Sequence, residues 1–174
     1  MAEKASFKTV TALVVDDNEH MLAIATTMLR AFGFGRVLNA SNGADGFDMF
    51  CKTDVDLIIL DYHMPGMDGH AFSHIVRTGV ESPNKFTPII MLSAHAEISC
   101  ICKARDEGVT EFMCKPISPS ELYKKISMVV EHPRAFISVE GYFGPDRRRR
   151  RDPKYIGAER RTAEKPDNIY KVSA

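Results

Sequence analysis

The chain lacks any run of about 18 consecutive apolar residues, so no membrane-spanning helix is expected. Its opening, MAEKASFKTV, has no apolar core of the kind a secretory signal carries. Cysteine is scarce. Cys51, Cys100, Cys102 and Cys114 fit no zinc-ligand spacing, and no second close pair accompanies Cys100 and Cys102. These absences point away from a secreted disulfide scaffold and from a zinc module. They predict reduced, mostly packed thiols in a cytoplasmic protein.

Net charge is also missing, but only in the total. Residues 1–134 carry 13 Lys/Arg against 17 Asp/Glu, a balance of −4. Residues 135–174 carry 10 against 6, a balance of +4. An acidic body followed by a basic tail predicts different partners for the two parts. The length of 174 residues suits one domain with a proper core and some excess.

What is present is a regular alternation. TALVVDD is an apolar run ending in acids and predicts a buried strand. Met21, Ala25, Met28 and Phe32, with Leu22 and Leu29 beside them, predict a helix with a broad apolar face, ended by Gly33. RVLNA predicts a short strand, and GADGFDMF a second helix. VDLIILD is too apolar for a half-exposed strand and fits a parallel sheet covered on both faces. A turn-rich HMPGMDG precedes a helical HAFSHIVR, and TPIIMLSA predicts another buried strand. EISCICKARDEG predicts a helix stopped by Gly108, and TEFMC a fifth strand. Ser118 as N-cap, Pro119 at the first helical position and Glu121 three residues on from the cap mark the start of a last helix. Leu122, Ile126, Val129 and Val130 are its predicted core face.

Five strand–helix units in alternation predict an α/β fold, a doubly wound five-stranded parallel sheet with helices on both faces. Active sites in such folds lie outside the carboxyl ends of the strands. Those ends carry Asp16, Asp17, Asp61, Ser93 and Lys115. Carboxylates gathered at one place repel and need a cation, and an all-oxygen set with room for water and phosphate suits Mg²⁺. A nearby lysine can hold a phosphoryl oxygen, and a hydroxyl can take another. The chemistry this suggests is phosphoryl transfer to a carboxylate nucleophile.

LVVDDNE, LIILDYHMPGMDG, IIMLSA and FMCKP, in this order and spacing, make residues 9–132 resemble the receiver domain of two-component response regulators, of the CheY-like kind. The resemblance implies a flavodoxin-like fold and a signalling protein that accepts a phosphoryl group, not an enzyme. It implies Asp61 as phosphoacceptor, with Asp16, Asp17, Asp61 and the backbone carbonyl of His63 around Mg²⁺. Lys115 would pair with Asp61 or the phosphoryl group. Ser93 would bond a phosphoryl oxygen, and Phe112 would be the aromatic that follows it. The Lys115–Pro116 bond is expected to be cis. Ser93 stands where threonine is frequent and Phe112 where tyrosine is. His63 and His95, two residues after Asp61 and Ser93, occupy positions that tend to tune phosphate lifetime. The implied phosphate source is a sensor histidine kinase or phosphotransfer protein.

About 40 residues follow, with few large aliphatics, so no DNA-binding output domain is expected. Within residues 133–174 one phrase occurs twice: Tyr142-Phe143-Gly144-Pro145-Asp146-Arg147-Arg148 and Tyr155-Ile156-Gly157-Ala158-Glu159-Arg160-Arg161. Each copy sets a glycine before an acid, where backbone can come close to a ligand. Each sets an aromatic ahead of paired arginines, which stack on bases, grip guanine edges and pair with phosphates. A tail with no packed core is expected to be disordered alone and to order around its partner. The repeat resembles the arginine-rich extension of CheY-like regulators that bind cyclic di-GMP and act on the flagellar motor. That resemblance implies Arg147, Arg148, Arg160 and Arg161 on guanine or phosphate. It makes Asp146 and Glu159 acids that orient arginines or accept from the guanine Watson–Crick edge, Gly144 and Gly157 the close-approach positions, and Tyr142 and Tyr155 stacking or packing candidates. Ala158 in place of Pro145 is expected to weaken the second copy. Arginine runs also bind polyanions without specificity, so RNA, DNA or an acidic membrane surface stays open as an alternative partner. A solvated tail with no ligand stays open too.

Overall fold

Five short apolar runs become the strands of one parallel sheet: β1 (Thr11–Val15), β2 (Arg36–Ala40), β3 (Leu57–Asp61), β4 (Ile89–Ser93) and β5 (Glu111–Cys114). The computed structural model describes residues 7–94, 98–139 and 141–146, with the backbone of a short strand at Ile169–Tyr170. The sheet order is β2-β1-β3-β4-β5, and every neighbouring pair is parallel. β3 and β4 are buried along their whole length, as their unbroken apolar runs require.

Successive side chains on a strand point to opposite faces, so each strand feeds two cores. Ala12, Val14, Leu57 and Ile59 face one, packed with Leu22, Leu29, Leu122 and Ile126. Leu13, Val15, Ile58 and Leu60 face the other, packed with Phe47, Phe50, Phe72 and Val76. The first core is covered by α1 (Glu19–Ala31) and α5 (Pro119–Glu131); α2 (Gly43–Lys52) and α3 (Gly69–Thr78) contribute to the second, which also takes Ala104 of α4 (Ile98–Asp106). The buried stripe of α1 is Leu22, Ala25, Thr26 and Leu29. Met21, Met28 and Phe32 are half-buried at its margin, so the face is turned slightly from the predicted one. Val130 is likewise half-buried. Ser118 caps α5 by accepting from the Glu121 amide, and Asn18, Asn42 and Asp68 cap α1, α2 and α3 in the same manner. Cys51, Cys102 and Cys114 are free, but Cys51 and Cys114 are exposed rather than packed.

The chain stays ordered past α5. β6 (Phe136–Val139) and β7 (Tyr142–Pro145) pair antiparallel, with Val139 opposite Tyr142 and a tight turn at Gly141, whose φ is +77°. β8 (Ile169–Tyr170) pairs with the other edge of β6. The first repeat phrase is therefore a strand as far as Pro145, and the expectation of a tail without structure of its own does not hold for 136–145. Its packing explains why. Phe136 and Phe143 meet Phe86 edge-on, with centroids 5.3 and 5.4 Å away. Gly144 lies so close to the receiver body that a Cβ would stand 2.7 Å from the Gly108 Cα.

Beneath this hairpin lies Arg77, 2% exposed. Its Nε donates to the Gly108 carbonyl at 2.9 Å, and Nη1 donates to the Lys85 and Thr87 carbonyls at 2.8 Å each. Its guanidinium lies 5.2 Å from the Phe136 ring centroid. Burial pushes its pKa down to about 9, which leaves it charged at neutral pH. A second tie joins the linker to the sheet: Glu111 is buried between Lys125 of α5, at 2.9 Å, and Arg134.

Candidate functional site

Each strand of a parallel sheet ends where its backbone pairing ends, and here three such ends meet. Asp16 follows β1 and is 2% exposed; its amide still donates to the Ala40 carbonyl of β2. Its Oδ1 accepts from the Asn18 amide at 2.9 Å, which sets the carboxylate's orientation. Asp17, the next residue, is exposed. Asp61 ends β3 and is 5% exposed. Carboxylate oxygens of Asp16, Asp17 and Asp61 all lie within 4.8 Å of one another.

Gly69 is what lets α3 start so close to this point. A Cβ there would stand 2.4 Å from the Asp61 carbonyl oxygen. The Gly69 amide donates to the Tyr62 carbonyl at 3.0 Å and fixes the loop between them.

Lys115 enters from the end of β5, and its amide donates to the Ser93 carbonyl at 2.7 Å. Its Nζ reaches Asp16 Oδ2 at 2.7 Å and Asp61 Oδ1 at 2.8 Å. The Lys115–Pro116 peptide is cis. Ser93 is fully buried at the end of β4. Phe112 is half-buried in the core on the α2/α3 side of the sheet, opposite Met91. His63 is exposed, its ring 4.7 Å from that of Tyr62.

The electrostatics follow from three acids gathered at one lysine that pairs with two of them. Burial raises the Asp61 pKa most, and the charges of Asp16 and Asp17 raise it further, against the hydrogen bond and charge of Lys115. Burial alone would lower the Lys115 pKa, but its bonds to Asp16 and Asp61 outweigh this and hold it above the ordinary value. The cluster keeps an excess of negative charge that one ammonium does not cancel. Its donors are all oxygen, two of them nearly buried, which fits a hard divalent cation such as Mg²⁺.

The tail residues stand elsewhere. Tyr142 is half-buried and its hydroxyl donates to the Pro145 carbonyl at 2.8 Å. The close approach made by Gly144 is to Gly108 of the same chain. The Asp146 amide donates to the Ala135 carbonyl at 2.7 Å. These residues lie by the segment that leads into β5, not at the strand's carboxyl end with Lys115. His95, Arg147, Arg148, Tyr155, Gly157, Glu159, Arg160 and Arg161 lie outside the described residues. Arg77, Phe86 and the Glu111 ion pairs, which hold the hairpin, carried no signal in the sequence, and Gly108 signalled only the end of a helix, not its contact with Gly144.

Known proteins with this arrangement are many. The sequence model of the response regulator receiver domain matches residues 12–127. The chain is 32% identical to the chemotaxis protein CheY-3 of Vibrio cholerae over 124 residues, covering 71% of this chain and 94% of that one. It is 31% identical to the chemotaxis protein CheY of Pseudomonas aeruginosa, covering 68% and 94%. The solved structure of Vibrio cholerae CheY4 superposes with a TM-score of 0.64 at 30% identity, covering 70% of this chain and 98% of that one. Receiver domains are phosphoacceptor signalling modules rather than classical enzymes. Among the described residues, no helix is long and apolar enough to cross a membrane. With the parallel sheet, the acids at its strand ends and two thirds of the chain spanned by the family match, this chain belongs to the response regulator receiver family.

Proposed function

We propose that this chain is a response regulator in which Asp61 takes the phosphoryl group. The observation that carries this is the meeting of Asp16, Asp17 and Asp61 within 4.8 Å, with Lys115 on two of them. Asp16, Asp17, Asp61 and the His63 carbonyl would hold Mg²⁺, which when bound offsets charge on the attacking carboxylate and the phosphoryl oxygens. Lys115 steadies Asp61 before transfer and a phosphoryl oxygen after it. Ser93 takes another oxygen, and Phe112 responds to its movement. The donor is a sensor histidine kinase or phosphotransfer protein. Incubation with acetyl phosphate and Mg²⁺ tests the reading by intact mass. Wild type is expected to gain one phosphoryl group and Asp61→Asn none; a wild-type protein that gains nothing sinks the assignment.

The receiver, residues 9–132, continues into an extension, residues 133–174, that binds cyclic di-GMP and directs the protein to a target such as the flagellar motor. The duplicated phrase with paired arginines supports this part. Calorimetric titration of cyclic di-GMP into the full chain and into a truncation after Asp146 tests it, since that truncation keeps the β6–β7 hairpin. Equal binding by both places the nucleotide elsewhere. Phosphorylation and nucleotide are proposed to bias one switch. If so, each changes the other's affinity by the same factor, and an affinity for cyclic di-GMP that ignores phosphorylation rejects the coupling.

A further inference from the structure

The carboxyl ends of the strands hold the acids. Their amino ends, at the opposite pole of the sheet, enclose a cavity of about 330 Å³. Val10, Asp56, Pro88 and Thr110, the residues just before β1, β3, β4 and β5, all stand in its wall. Val130 joins them from the end of α5, and Arg134 and Phe136 from the path that leads into β6. Protein interiors leave few voids larger than a water molecule, so a chamber of this size is more than a packing flaw. It lies at the lower edge of the range of ligand pockets, roughly 300–1,000 Å³. The wall is mainly apolar. Two of its polar groups are already engaged: Asp56 Oδ2 accepts from the Thr11 amide at 2.8 Å, and Thr110 Oγ1 accepts from the Ile89 amide at 3.1 Å. Arg134 differs. Among the described residues it pairs only with Glu111, through one Nη2, while a guanidinium carries five N–H donors. Glu111 is shared with Lys125, so it does not neutralise both cations.

From this we infer that the amino pole is a binding site for a small apolar monocarboxylate, an aryl or medium-chain acid. Its body fills the chamber and its carboxylate pairs with Arg134. Burial of the body against Val10, Pro88, Val130 and Phe136 supplies the hydrophobic part of the binding. The guanidinium has the planar fork that suits a carboxylate, and its remaining N–H groups supply the polar part. A neutral molecule of the same shape fills the space without that pair. A small inorganic anion makes the pair and leaves the apolar wall wet. The ligand class therefore follows from both halves of the wall together. The site is separate from the acidic cluster in place and in chemistry: that cluster suits a hard cation, and this chamber suits an apolar anion. Its occupant touches the starts of the strands, the end of α5 and the root of β6 at once. Binding here fastens the hairpin to the sheet at the pole away from Asp61.

The test uses the full chain, isotope-labelled, with benzoate as the probe and benzamide as its neutral counterpart. Each is titrated near neutral pH and followed by amide chemical shifts. Expected with benzoate are saturable shifts that fit one site at Val10, Thr110, Val130 and Phe136, and a higher melting temperature. Benzamide is expected to bind more weakly, on the order of tenfold, and Arg134→Gln to bring benzoate down to the level of benzamide. Val130→Phe puts a ring into the chamber and is expected to abolish binding of both. Glu111 keeps Lys125 in Arg134→Gln, and the ligand-free melting temperature checks that each variant is folded. Should a variant fail to fold, the contrast between benzoate and benzamide on the wild-type protein still decides. No saturable shifts at these amides overturns the inference. So does benzoate binding that survives Val130→Phe, because it assigns the anion to cations elsewhere on the chain. Equal binding of benzoate and benzamide overturns the carboxylate as the ligand class.

Discussion

Each end of this sheet holds a cation away from water, and the two are held in opposite ways. Lys115, at the carboxyl ends, is surrounded by acids and its pKa is raised. Arg77, by the segments that lead into β4 and β5, has carbonyls and an aromatic ring instead, and its pKa is lowered. Carbonyl oxygens bear partial charge and cannot be exchanged for another partner without breaking the backbone geometry that presents them. Arg77 is thus fixed in place and holds structure. Carboxylates carry full charge and keep an excess of it beside Lys115. A metal ion or a phosphoryl group entering there changes the balance, and the lysine can follow. One end is built to stay and the other to respond.

The largest expected effect is at the fixed end. Arg77→Met leaves the carbonyls of Gly108, Lys85 and Thr87 without their donor, and each orphaned group costs about 1–3 kcal/mol. A loss of about 3–5 kcal/mol in denaturant unfolding is expected. Arg77→Lys is expected to recover little, because one ammonium cannot reproduce the fork. A cost under about 1 kcal/mol would mean that Arg77 is not the anchor.

Next in size is the hairpin. Gly144→Ala sets a methyl group against the Gly108 backbone, at an expected cost of about 1–3 kcal/mol. Hydrogen exchange is expected to speed up in residues 136–145 and stay unchanged in β1 and β3. Uniform acceleration would show the hairpin to be inseparable from the sheet.

The smallest effect belongs to the responsive end and depends on pH. The folded pKa of Asp61 is raised, chiefly by burial, so its ionisation opposes folding. Its contribution to stability is full below about pH 4 and is lost as pH rises through the folded value. In EDTA, wild type is therefore expected to lose stability relative to Asp61→Asn as pH rises above about 4, and Mg²⁺ is expected to narrow the gap. A gap that is constant with pH contradicts the raised pKa.

The responsive end was legible in the sequence and the fixed end was not. Val14, Ile58 and Ile90 sit in unbroken apolar runs, which only a sheet covered on both faces uses, and acids at the ends of such runs have few structural reasons to be there. Asp16, Asp17, Asp61 and Lys115 therefore announced themselves as a group. Arg77 follows Ile75 and Val76 near the end of α3, and nothing in its spacing separates a buried arginine from a solvated one. The hairpin did leave a trace. FISVEGYFGP has two short runs of β-forming residues around a glycine, which can supply a turn. Starting the repeated phrase at Tyr142 cut that hairpin just behind its turn. The same cut hid the role of Gly144, whose close neighbour is Gly108.

The division between a fixed and a responsive end rests on the chemistry of Asp61. Acetyl phosphate and Mg²⁺ applied to wild type, Asp61→Asn and Arg77→Met, followed by intact mass, address it most directly. Wild type is expected to carry one phosphoryl group, Asp61→Asn none, and Arg77→Met, at a temperature where it is folded, as much as wild type. Phosphorylation that persists in Asp61→Asn, or that is absent from the wild-type protein, would contradict the assignment of Asp61.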